Sequence, residues 1–268
     1  MAKTEKTAAP ALKRDVRCNT DTGLLKLIAI VTMLVDHLGA RVFPEYHIMR
    51  VIGRIAFPIF AYCIAMGCCY TRSMLKYALR VLALAVVSQP IYTTAMGHQT
   101  MRAFDWAHNY YRIDLIFRHY YLVHPCILFA LFLGILIIWS LKEKKYAATA
   151  ALLALVWYIQ SYLDYGLYGI YLMIMFWALI DRPAVSVLWV GAYMIWYGVP
   201  ALRSKFDVTG VINAFPDIKV YTQFWALLAL PIIYIPTHSN IKINKYVFYA
   251  FYPAHLILIY LLTMGKAA

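Results

Sequence analysis

Charge is scarce in this sequence. Only 14% of its 268 residues are Asp, Glu, Lys or Arg, and the acids number just 12. Hydrophobic residues make up 63% of the chain, which excludes an ordinary soluble domain. Three signatures are also missing: a Gly-rich phosphate loop, a G-x-S-x-G elbow and a Rossmann fingerprint. Nucleotide hydrolysis and serine-hydrolase chemistry are therefore not first choices. The five cysteines lack metal-ligand spacing with histidine, and neighbouring Cys68 and Cys69 make a poor disulfide. They read as packing residues, with Cys18 a free thiol in a polar stretch. No internal repeat of the kind found in many secondary transporters is visible. The first twenty-three residues hold no apolar core, so no cleavable signal peptide is expected and the first helix doubles as the targeting signal.

What is present is a series of apolar helices. The fold class expected is an all-α, polytopic transmembrane bundle of about nine spans, with eight or ten as alternatives. The spans read at about 24–41, 48–70, 74–95, 123–141, 147–163, 167–180, 184–200, 221–235 and 246–264. Pro58 is expected to kink the second near its middle. Residues 97–122 are too charged to span and read as an aromatic, interfacial segment. Residues 1–22 read as a flexible basic tail, and 23–268 as one membrane-embedded domain. Net charge is +13, from 25 basic residues. A nucleic-acid or anionic-ligand binder would show such an excess. Here the basic residues cluster in alternate loops, as the positive-inside rule requires, so no nucleic-acid partner is expected. The same rule gives a cytoplasmic N-terminus and, with nine spans, an exported C-terminus.

Ionisable residues inside these spans are expensive in lipid and are read as functional. Lys26 and His37 are eleven residues apart and share one helix face, while Asp36 points roughly 80° aside. Arg54 enters the second helix from the opposite side and reaches the level of Asp36, so a buried Asp36–Arg54 pair is expected. Lys76 and Arg80, at i and i+4, form a cationic pair suited to phosphates, although snorkelling accounts well for Lys76. His255, in the last helix, lies close to the depth of His37. A neutral histidine suits general-base work near pH 7. Two histidines and an aspartate also suggest a metal, but no ligand spacing favours one, and none is expected.

Several motifs together resemble the TraX family. They are Leu25-Lys26 to Asp36-His37; Ile52-Gly53-Arg54-Ile55-Ala56-Phe57-Pro58; Thr71-Arg72 to Lys76-Tyr77 and Arg80; Asp164-Tyr165-Gly166; and Phe248 to Leu256 with Tyr252-Pro253-Ala254-His255. The likeness covers the chain from residue 24 onward. The family's best-known member acetylates the N-terminus of conjugative pilin. It is similar in turn to a broad membrane acyltransferase superfamily marked by a basic residue, ten positions and a histidine, a spacing that Lys26 and His37 share. Two departures stand out, the first a segment 97–122 longer and more aromatic than the family's. Second, the family carries N-V-x-F-T-L in its fourth helix, where this chain has Cys126-Ile127-Leu128-Phe129-Ala130-Leu131, so pilin is not carried over as substrate.

The resemblance implies an integral-membrane acetyltransferase of the bacterial inner membrane, using cytosolic acetyl-CoA. His37 would be the general base, with Asp36 and His255 beside it. Lys26, Arg54, Lys76 and Arg80 would serve the donor, with Arg54 also a candidate oxyanion donor. The acceptor stays open between a peptide N-terminus, a sugar hydroxyl and a small amine, and the oligomeric state is open too, a homo-oligomer included. A transporter or exporter of a small polar or lipid-linked molecule, or a structural partner in pilus or envelope assembly, is the alternative.

Overall fold

A computed structural model describes residues 16–97, 120, 121, 124–199 and 222–267. The expected interfacial segment 97–122 and the loop 201–220 lie almost wholly outside them. The described residues form nine helical segments and no strands. In order they are α1 (Thr22–Arg41), α2 (His47–Gly53), α3 (Ala56–Tyr70), α4 (Met74–Ala95), α5 (Ile127–Lys142), α6 (Tyr146–Ile159), α7 (Gly166–Ala178), α8 (Pro183–Gly198), α9 (Ala229–Tyr234) and α10 (Lys245–Ala267). The pairs α2–α3 and a 3-10 turn (Thr222–Leu228) with α9 each count as one segment.

Among the described residues, four segments are long and apolar enough to cross a membrane: Thr22–Arg41, His47–Tyr70, Met74–Ala95 and Tyr246–Gly265. At 1.5 Å per residue, 20 residues span about 30 Å of hydrocarbon. Shorter apolar helices pack around them, and multiple apolar helices mark an integral membrane protein. The core residues Tyr62, Ile135, Ile170 and Met173 are fully buried. Trp157, Tyr158, Leu188 and Trp189 point outward from α6 and α8, where lipid rather than water is the compatible solvent.

Proline decides several local features. Pro58 lacks the N–H that would bond the Arg54 carbonyl one turn back, and its ring crowds that carbonyl. The break between α2 and α3 therefore falls at Arg54–Ile55, not at the middle of the segment. Pro90 likewise strands the Val86 carbonyl within α4, and the Tyr121 hydroxyl donates to it at 3.2 Å. Nearby, the buried Gln89 amide donates to the carbonyls of Tyr120 and His124, and accepts from the Cys126 N–H at 2.7 Å. That satisfies an orphan donor at the start of α5.

Residues 16–21, expected in the tail, are built into the bundle. Cys18 is buried, and its Sγ donates to the Ile180 carbonyl at 3.3 Å. The Asn19 amide donates to the carbonyls of Ile232 in α9 and of Ile235 just beyond it, and to Thr237. Asp21 caps α1 through the Leu24 N–H and holds the Ser239 N–H at 2.7 Å. Those bonds, from Ser239 first, lower its pKa to about 2.

Candidate active site

Lys26, Ile30, Met33 and His37 follow i, i+4, i+7, i+11, one stripe along α1. On α10, Phe248, Phe251, Tyr252 and His255 form a matching stripe. A cavity of about 380 Å³ lies between these helices, α3, α4 and α5. Both stripes line it: Lys26, Ile30 and Met33 from α1; Phe248, Phe251 and Tyr252 from α10. Along α1 it runs from Thr22 to Met33, about 16 Å. His37 and His255 stand on the next turn of their helices, beyond its inner end.

Two cations stand at the outer end. Lys26 Nζ sits 5.8 Å from the Phe248 ring, and the Arg80 guanidinium 5.9 Å from that of Tyr77. Neither has a carboxylate partner among the described residues. The walls between are apolar, with the buried Tyr252 hydroxyl beside the Cys126 thiol. Volume and lining match a small-molecule site.

His37 Nδ1 and His255 Nε2 are 2.9 Å apart, with the rings stacked at 5.1 Å. His255 Nδ1 lies 3.0 Å from the Phe251 carbonyl, which only accepts. His255 therefore carries its proton on Nδ1, and its Nε2 accepts from His37 Nδ1–H. In the neutral pair this leaves the lone pair of His37 on Nε2. His255 is 3% exposed and packed by the rings of Phe251 and Tyr252, which fix its orientation.

Asp36 takes no part in that relay. Arg54 Nη2 donates to both its carboxylate oxygens at 2.6 Å, and Arg50 Nη1 lies 2.7 Å from Oδ2. Arg50 also donates to the Asp36 carbonyl at 3.0 Å. Arg54 Nη1 donates to the Tyr165 hydroxyl at 3.3 Å. Tyr165 has a left-handed φ of 60° and stacks on Phe57 at 3.9 Å. Its neighbour Asp164 accepts from the Tyr92 hydroxyl at 3.0 Å. Asp164-Tyr165-Gly166 thus ties α7 to the arginine clamp and to α4.

The family model described as TraX protein matches residues 21–263. This chain belongs to the TraX family. TraX is linked to pilin acetylation. The chain is similar to a probable fimbrial assembly protein FimC, serogroup H1, of Dichelobacter nodosus, with 24% identity over 244 residues, 88% of this chain and 92% of that protein. It is also 41% identical over 76 residues to an uncharacterised protein of Rickettsia prowazekii (strain Madrid E), 28% of each chain. No solved structure matches.

In this TraX chain the structure groups the residues singled out by sequence into two clusters. His37 and His255 form one, Asp36 and Arg54 the other. Lys26 and Arg80 line the cavity, whereas Lys76 is exposed on α4 and does not. The sequence reading missed the bonds of Arg50 and Tyr165. Their available signal was position: Arg50 sits one turn from Arg54, and Tyr165 lies inside a motif already noted.

Proposed function

We propose that the protein is an integral-membrane acetyltransferase that moves an acetyl group from acetyl-CoA to an amine or hydroxyl acceptor. One observation carries this reading: the His37 Nε2 lone pair, fixed by His255, lies one turn beyond a cavity with a cationic mouth. Lys26 and Arg80 suit the donor's phosphates, and the apolar walls suit its pantetheine arm. Lys76 serves at most the approach. With the N-terminus of α1 on the cytoplasmic side, the mouth faces the cytosolic donor.

His37 Nε2 takes the proton of the acceptor amine or hydroxyl as its nitrogen or oxygen attacks the thioester carbonyl carbon. The new C–N or C–O bond forms and the C–S bond breaks. The proton on His37 then passes to the departing sulfur. His255 is a positioning residue: it holds the Nδ1 side of the base in one tautomer. Arg54 acts as scaffold, because Nη2 is spent on Asp36 and Nη1 on Tyr165. The name of the Dichelobacter nodosus relative favours a peptide amine among the acceptors.

Thiol release from acetyl-CoA by the purified protein tests the reading, beside mass spectrometry for acetylated products in cells. Loss of both with His37→Ala is expected. Equal thiol release by the two proteins overturns the assignment of His37.

A further inference from the structure

A second pocket, of about 370 Å³, is lined by His47, Arg50, Arg54, Thr222 and Gln223. It stands at the opposite end of α1 from the cavity mouth, because α2 returns antiparallel from the turn after Arg41. The transfer chemistry above does not use it. Among the described residues its lining contains two guanidiniums, an imidazole, an amide and a hydroxyl, and no carboxylate. Two features show that its donors exceed its acceptors. Asp36 is the one carboxylate in contact with the two arginines among the described residues, and Asp164 reaches Arg54 only at longer range. Arg50 spends only Nη1 on it, and its side chain stays 33% exposed. The Gln223 Nε2 is buried beside the Tyr168 hydroxyl and makes no hydrogen bond of good geometry there. Leaving a buried donor unpaired is costly, and an oxygen ligand would remove that cost.

We propose that this pocket is an anion-binding site for a carboxylate or phosphate. On the acetyl-transfer reading, which this assignment alone rests on, the anion belongs to the acceptor, held on the far side of the Asp36 clamp from the donor. The excess of positive charge attracts the anion, the Arg50 fork and the Gln223 amide bind its oxygens, and His47 closes the rim. The acceptor class is then an amine or hydroxyl compound bearing an acid group.

The test uses the full-length protein with Cys69→Ser and Thr222→Cys in neutral phosphatidylcholine nanodiscs. Thiol reaction rates are compared for an anionic sulfonatoethyl and a cationic trimethylammonioethyl methanethiosulfonate. The anion-to-cation ratio is expected to exceed that of free cysteine by about tenfold. It should fall toward the free value with His47→Gln plus Gln223→Leu, which spare the Asp36 clamp. Inorganic phosphate, succinate and nanodiscs containing phosphatidylglycerol are then added in turn. Protection by one of them assigns a free phosphate, a carboxylate or a lipid headgroup as the source. A ratio equal to that of free cysteine, or indifference to all three anions, overturns the proposal. An anion preference in a protein that releases no thiol from acetyl-CoA sinks the acetyltransferase reading and leaves the pocket standing.

Discussion

α2 passes close against α1 at Gly53. A Cβ built there would stand 2.1 Å from Asp36 Oδ1 and 2.2 Å from Asp36 Cβ. Non-bonded carbons rest near 3.5–4.0 Å, so the shortfall is about 1.5 Å. The carboxylate oxygen can rotate away, but Asp36 Cβ is fixed to the α1 backbone. Gly53→Ala must therefore push α2 off α1, carrying Arg50 and the Arg54 that follows. Overpacking alone costs about 1–3 kcal/mol. As the guanidiniums leave the buried carboxylate, the cost rises toward the roughly 3–5 kcal/mol of a broken buried pair. Gly265→Ala is the control: nothing lies within 4 Å of its Cβ, and removing a helix glycine should gain about 0.5–1 kcal/mol. Thermal unfolding in detergent should show Gly53→Ala several degrees below wild type and the control at or above it. Gly53→Ala melting with the control would refute the clamp as a close-packed element.

Three further outcomes are expected. His255→Gln keeps an acceptor for His37 Nδ1–H and should retain part of the acetyl transfer with an altered pH–rate profile, whereas His255→Leu should lose about 100-fold or more; equal kcat and pH profile in both would remove the positioning role. Tyr121→Phe should cost about 0.5–1.5 kcal/mol, and less in a Pro90→Ala background, since the alanine N–H restores the donor to Val86; a double-mutant cycle measures the coupling. Asp21 has a folded-state pKa below its ordinary 3.8, at about 2, so its contribution is fully present above about pH 4 and lost as pH falls to about 2; melting curves over that range should flatten in Asp21→Asn.

The site was legible where geometry is periodic. The 3.6-residue turn put Lys26 and His37 on one face, and the 1.5 Å rise put His255 near the depth of His37. A carboxylate in lipid needs a cation, and the short turn after α1 made Arg54 the reachable one. Arg50 escaped because only the backbone approach at Gly53 brings a second guanidinium to Asp36. Tyr165 escaped because a left-handed residue between two helices cannot be seen in hydrophobic periodicity. The spacing of Lys76 and Arg80 suggested a working pair, but the cavity meets only the deeper turn of α4. Residues 16–21 looked like tail by polarity. Asn19 is polar because the carbonyls of Ile232 and Ile235 need its amide.

That last contact has a practical consequence for handling the protein. The Asn19 carbonyl accepts from Tyr62 of α3 at 2.6 Å while its amide grips the residues at and beyond α9. This short segment is a buckle between Tyr62 and Ile232, 170 residues apart in sequence. A truncation that starts the chain at residue 22 would undo it and also remove the cap of α1. Affinity tags and fusions therefore belong before Val16, and a shortened protein that misbehaves in detergent reports the opened buckle rather than a fault in the site.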